Sequence, residues 1–216
     1  MSSEEVKSVN YWNNFYKKMN YTKDSIVYDN WLYGYRDIVD SSGKPIIDLG
    51  CGSGNNVKYL MEKNMKVVAC DSSIAAIELI KRNFPNIYDT ECFDMVDGFP
   101  FVNNSADLVI ADLCLHYFTK EDTIKILNEI KKVLINQGTL LARVYSIDDV
   151  DIKTLNGREV EKHLYKMPDG RLKRFFSYED LFEFFKMFQF GNINKYNIDR
   201  YGMPKETYTL KLKNQK

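Results

Sequence analysis

Between residues 45 and 145, short apolar runs alternate with stretches of helical period. Residues 45–49, 66–70, 88–93, 107–111 and 139–145 read as strands, because aliphatic and β-branched residues crowd into lengths too short for helices. Residues 55–63, 73–83 and 120–134 read as helices between them. Ser72 or Ser73 can cap the second helix and Thr119 the third, whose apolar face is Ile124, Leu127, Ile130, Val133 and Leu134. Gly138 is expected to end that third helix. Strand after strand with helices between predicts a parallel sheet covered on both faces and joined by right-handed crossovers.

The flanks follow other patterns. Trp12, Phe15, Tyr16 and Met19 sit at helical spacing over residues 9–19. Residues 25–39 are expected to form a second helix, with Ile26, Leu32, Tyr35, Ile38 and Val39 apolar, closed by the polar run 41–45. Residues 163–176 read as a hairpin around Pro168, Asp169 and Gly170. Ser177 then caps a helix running to about residue 188, with Asp180 as its capping-box partner. Residues 192–199 and 205–213 follow as strands; with no helix between them, they should pair antiparallel. No repeat or linker interrupts the chain, so a single domain is expected over residues 1–216: a helical cap over 1–44, a core over 45–145, then hairpin, helix and strands over 146–216.

Composition narrows the function. The 216 residues carry 30 basic and 30 acidic side chains, a formal net charge of zero. A chain without a bulk positive field is not expected to bind nucleic acid or an anionic membrane. No apolar run reaches the length of a membrane span, and the first ten residues do not resemble a signal peptide, so a cytoplasmic protein is expected. Cys51, Cys70, Cys92 and Cys114 should then be reduced. None forms a CxxC pair, and no metal site is expected. Oligomeric state is not legible.

The chemistry concentrates after the first strand, in Asp48-Leu49-Gly50-Cys51-Gly52-Ser53-Gly54. Glycines between a strand and a helix permit a tight turn and let a ligand press on bare backbone. The dinucleotide fingerprint needs a third glycine at position 55, which is Asn, and no Gly-Lys-Ser/Thr of a phosphate loop follows. Asp48 before the turn would oppose a pyrophosphate and suits a cationic ligand. Asp71, Asp94 and Asp112 stand at or near the ends of the next three strands. In open α/β sheets ligands bind beyond these ends, and Asp71 can accept from both hydroxyls of a ribose. An acid-lined crevice fits a positively charged nucleoside.

With IIDLGCGSG, VVACDSS, FDMVDGFPF, ADLVIADLCLHYF and GTLLARV in order, residues 45–145 resemble the class I S-adenosylmethionine-dependent methyltransferases. The resemblance implies a Rossmann-like, seven-stranded, mostly parallel α/β sheet with helices on both faces. It also implies an antiparallel last strand, an N-terminal helical lid and a small hairpin insertion before the last helix. It implies S-adenosyl-L-methionine as cofactor and S-adenosyl-L-homocysteine as product. Asp48 and the backbone of Gly50, Cys51, Gly52 and Gly54 would hold the methionine end, and Asp71 with Ser72 the ribose. Asp94 and Met95 would meet the adenine, and Ala111, Asp112 and Leu113 the ammonium. Tyr11 and Tyr16, with Trp12, would either close a lid or simply pack. Patches at the N-terminus, at KRFF and in the closing strands are similar to the tellurite-resistance and UbiE-like small-molecule enzymes.

A small-molecule acceptor is expected, methylated by direct in-line displacement, with no particular substrate carried over from those patches; the alternative is a silent cofactor-binding sensor or partner subunit. Displacement at a sulfonium methyl needs orientation more than a covalent nucleophile. His116 and Tyr117 are the catalytic candidates, with His116 either a general base or a packed core residue. Arg143 and Arg174 are the candidates for an anionic substrate, whereas Arg171 and Lys173 read as a solvated, alternating edge. The cysteines near the strand ends read as core residues. No Asn/Asp-Pro-Pro-Tyr or Pro-Cys follows the fourth strand, which sets aside adenine-N6 and cytosine-C5 chemistry.

Overall fold

A computed structural model describes residues 3–19, 21–26, 28–149, 156–200 and 203–216. Helix α1 (Ser3–Lys18) leads through short 3-10 turns into α2 (Arg36–Asp40). The alternating core follows: β1 (Ile46–Leu49), α3 (Asn55–Glu62), β2 (Val67–Asp71), α4 (Ile74–Asn83), β3 (Asp89–Cys92), β4 (Ala106–Asp112), α5 (Lys120–Val133) and β5 (Leu134–Tyr145). Then come β6 (Arg158–Glu161), β7 (Leu164–Lys166), β8 (Leu172–Arg174), α6 (Tyr178–Phe185), β9 (Gln189–Arg200) and β10 (Met203–Lys213).

Seven strands form one sheet in the order β3-β2-β1-β4-β5-β10-β9. The first five run parallel, and β10 is antiparallel to both neighbours, as the absence of a helix between β9 and β10 requires. Period-two alternation splits the central strands between two apolar layers. Ile47, Leu49, Val109, Leu140 and Ala142 join α5 and α6 on one face. Ile46, Leu108, Ile110 and Leu141 join α3 and α4 on the other. Both faces are therefore covered, and β1, β2 and β4 read as near-continuous apolar runs. β1 pairs with β2 on one side and β4 on the other, so a crevice opens where the chain direction of winding reverses.

Ser73, Thr119 and Ser177 cap α4, α5 and α6 as the sequence predicts, the last with Asp180 completing its capping box. Two predicted elements differ. Residues 25–39 do not make one helix: Asn30 is left-handed at φ 62°, and 3-10 turns occupy 23–25 and 31–35 before α2. Aromatic side chains on both sides of that stretch pack into the core separately, which an unbroken helix would prevent. Val27, within it, lies outside the described residues. The third long helix does not end at Gly138. It stops at Val133, and Leu134 is already extended. Asn214 supplies the reason: its amide donates to the carbonyls of Lys131, Leu134 and Ile135 at 3.0–3.1 Å, satisfying the helix end from the far terminus.

The expected hairpin is β7–β8, and β6 adds a third antiparallel strand to it. This small sheet leans on the crevice mouth. No helix among the described residues is long and apolar enough to cross a membrane.

Candidate active site

The glycine turn after β1 is left-handed at Gly50 (φ 64°) and Gly52 (φ 52°). A Cβ on Gly50 would fall 2.5 Å from Cβ of Cys114, and one on Gly52 would fall 2.6 Å from the Tyr16 hydroxyl. The turn is thus squeezed between the β4 loop and α1, and only bare backbone fits. Gly50, Cys51, Gly52 and Ser53 form one wall of a cavity. Asp71 and Ser72, Asp94 and Met95, and Asp112 and Leu113 line it from the ends of β2, β3 and β4. Trp12 and Tyr16 of α1 roof it, and Gly170 and Leu172 of the hairpin close its mouth.

Asp71 is held on both oxygens, accepting from the Gly52 N–H at 3.0 Å and the Ser73 N–H at 2.9 Å. Burial nevertheless pushes its carboxyl up to about 6, with Asp94 adding repulsion and the backbone donors pulling the other way. Asp94 accepts from the Val96 N–H at 3.2 Å, which turns the chain after β3 and points Met95 at the cavity. Leu113, left-handed at φ 53°, donates its N–H to the Arg143 carbonyl at 3.0 Å.

Other expected site residues lie behind the wall. Asp48 is fully buried and accepts from the Asn56 amide at 3.0 Å, and Asn56 in turn accepts from the Trp31 indole at 2.9 Å. Gly54 begins α3, where a Cβ would strike Ile80 and Phe84, so its smallness serves helix packing. Ala111 is buried within β4, away from the cavity lining. Burial, reinforced by neighbouring carboxylates, raises the thiols of Cys51, Cys70 and Cys114 well above their usual range. Among the described residues no cluster of His, Cys, Asp or Glu could hold a metal.

Both substrate arginines are spent on structure. Arg143, 1% exposed, grips Asp112 in a two-pronged pair at 2.6 and 2.9 Å, meets Asp29 at 2.7 Å and lies 4.6 Å over the Trp31 ring. Arg174, 3% exposed, donates to the Lys162 carbonyl at 2.9 Å, pairs with Glu161 and covers Phe184. His116 is fully buried between the rings of Tyr117 (4.1 Å) and Tyr145 (4.4 Å) and does not line the cavity, whereas Tyr117 does.

A second cavity of about 370 Å³ adjoins the first, sharing Trp12, Tyr117 and Leu172 with it. That size suits a small organic ligand. Tyr11 belongs here rather than to the cofactor cavity, alongside Phe15, Tyr145, Arg171, Lys173 and Lys205. The Arg171 guanidinium lies 3.9 Å above the Tyr11 ring, held by Asp169 at 2.7 and 2.9 Å. Lys173 sits 4.6 Å above the Tyr145 ring. The hairpin cations that sequence alternation assigned to solvent are therefore those at the cavity. The signal that could have found them is the turn Pro168-Asp169-Gly170, after which Arg171 and Lys173 return beside the rings of Tyr11 and Tyr145.

Residues 47–142 match a family described as a methyltransferase domain. With the strand order and the acid-lined crevice, that match identifies a methyltransferase domain within the chain that uses S-adenosylmethionine. The chain is 26% identical over 210 residues to a tRNA N(3)-methylcytidine methyltransferase of Schizosaccharomyces pombe, covering 88% of this chain and 82% of that protein. It is 31% identical over 150 residues to a tRNA N(3)-methylcytidine methyltransferase of Drosophila melanogaster, covering 64% of this chain and 46% of the fly protein. The chain thus spans less than half of that longer relative. The fold is shared with a Burkholderia thailandensis 1,6-didemethyltoxoflavin-N1-methyltransferase solved with S-adenosylhomocysteine. The TM-score is 0.66 and the identity 18%, over 99% of this chain and 87% of that one.

The tRNA relatives overturn two sequence expectations, the small-molecule acceptor and the absence of a nucleic-acid partner. Net charge is a poor guide here because it averages over the surface: balanced totals conceal the three cations that line the second cavity.

Proposed function

We propose that this chain transfers a methyl group to N3 of a cytidine in tRNA. The observation that carries the reading is the second cavity, where aromatic rings interleave with Arg171, Lys173 and Lys205 beside the cofactor crevice. Unstacked RNA bases are recognised by such rings and cations. The curated tRNA relatives support the same class of acceptor.

S-adenosylmethionine supplies an electrophilic methyl carried on a sulfonium. The bare backbone of Gly50 and Gly52, with the recessed Asp71 carboxylate, fits its amino-acid and ribose portions. Asp94 and Met95 stand where the adenine would lie. Trp12 and Tyr117, 5.4 Å apart edge to face, form the partition past which the acceptor nitrogen must reach. That nitrogen has an unprotonated lone pair near neutral pH, so no general base is required. This accords with His116 lying under Tyr117, where it orients the phenol ring rather than touching an acceptor. We place this activity in the cytoplasm.

The test is mass spectrometry of nucleosides from tRNA incubated with the protein and deuteromethyl-labelled cofactor. Labelled N3-methylcytidine is the expected product. Label on another base would refute the acceptor atom, and no label on any tRNA, from protein that binds S-adenosylhomocysteine, would refute the acceptor class.

A further inference from the structure

The two cavities share two walls that do not belong to the main sheet. Helix α1 gives Trp12 and Tyr16 to the cofactor cavity, and Tyr11 and Trp12 to the second. The hairpin gives Gly170 and Leu172 to the first, and Arg171 and Leu172 to the second. These walls are anchored separately. The hairpin belongs to the three-stranded sheet of β6, β7 and β8, whereas α1 is seated on the start of α4 through Asn13. A seam therefore runs between them across the mouth of the cofactor cavity.

Arg171 crosses that seam. Its guanidinium lies 3.9 Å from the centre of the Tyr11 ring and 5.6 Å from that of Trp12. Asp169, in the same turn, accepts from Nε at 2.9 Å and from Nη2 at 2.7 Å, which fixes the guanidinium plane against the rings. The Arg171 side chain is only 22% exposed, and a partly desolvated cation over a ring attracts it more strongly than one in open water. The contacts continue inward: Tyr11 meets Trp12 edge to face at 5.1 Å, and Trp12 meets Tyr117 at 5.4 Å. Arg171 thus reaches the partition between the cavities through two rings, without lining the cofactor cavity itself.

A bound cofactor has the ends of β1, β2 and β4 on one side and these two walls on the other. The strands are held by ladder hydrogen bonds, whereas Arg171 ties the seam by side-chain contact. The seam is the weaker boundary, and a ligand roofed by both walls leaves when they part. We infer that Arg171 is a positioning residue that straps the hairpin to α1, so that its contact with Tyr11 sets how long the cofactor product stays bound and where Trp12 stands. This concerns the cofactor cavity and holds for any acceptor.

The test is the release rate of radiolabelled S-adenosylhomocysteine into excess unlabelled ligand, read beside urea unfolding of each variant. Arg171→Ala should speed release about five- to tenfold, the size of one partly desolvated cation–ring contact, with its urea midpoint retained. Arg171→Lys keeps a charge for the ring but cannot fork onto Asp169, so its rate should fall between the two. Tyr11→Leu should match Arg171→Ala, and the double variant should release no faster than the quicker single one, since both remove the same contact. Release from Arg171→Ala at the wild-type rate would overturn the strap. Single effects that add up in the double variant would overturn the route through Tyr11. Faster release only in variants whose urea midpoint also falls would overturn the positioning role in favour of general destabilisation.

Discussion

Asp71 is held in tension by its surroundings. Two backbone N–H groups favour its charged form, while burial and Asp94 oppose it, and the carboxyl settles near 6. A protonated Asp71 can accept fewer hydrogen bonds, and ribose hydroxyls donate to the charged form. Below about pH 6 a bound proton must therefore leave before the ligand is held, so affinity for S-adenosylhomocysteine should fall as pH drops through that value and level off above it. Calorimetry between pH 5 and 8 checks the sign. Asp71→Ala should lower affinity roughly 10- to 100-fold and flatten that profile, the loss expected of one or two hydrogen bonds to a charged group. The position of Asp71 was legible, because a strand ending in Asp after a glycine turn has a direct physical meaning. Its raised carboxyl was not, since burial depends on α1 and the β3 loop closing around it.

Helix α1 shows how an element acquires a role beyond its own period. Its apolar spacing leaves a lid and a packing helix both open, and the structure makes it the roof of the cofactor cavity. Asn13 pins it: the side-chain oxygen accepts from the Ser73 hydroxyl at 2.9 Å and the Ala75 N–H at 3.2 Å, at the start of α4. Arg171 holds the same helix from the hairpin side through Tyr11. Asn13→Ala should cost about 1 kcal/mol, as other losses at a helix N-terminus do. It should also weaken cofactor binding several-fold and speed hydrogen exchange along α1, while exchange in β1 and β4 stays unchanged. Local caps such as Ser73, Thr119 and Ser177 could be read directly, because their partners lie three residues away. Asn13 could not, because its partners are some 60 residues distant. The missing helix over residues 25–39 failed for a related reason: its rings pack into the core one by one, and tertiary packing overrides propensity.

Across the molecule, Arg143 joins parts that are far apart in the chain. It ties Asp112, at the cofactor cavity, to Asp29 and Trp31 in the segment before α2. Removing it would strand two carboxylates in or near the core. Arg143→Ala should therefore destabilise the fold by about 3–5 kcal/mol, well beyond an ordinary surface change, measured by urea unfolding. Asp112→Asn combined with Arg143→Met should recover part of that loss, because a neutral pair needs no compensating charge. The glycine turn, the alternation of the first five strands with helices and the antiparallel close were all written in short segments. Each depends on period, cap or backbone freedom within a few residues, and these survive in any context. The acceptor was not written there. Which cations face the second cavity and which are consumed in pairs is settled by contacts across long separations, such as the 31 residues between Asp112 and Arg143. Charge acts through space, so its meaning at Arg143, Arg171 and Lys205 emerges only when the sheet, the hairpin and α1 have come together.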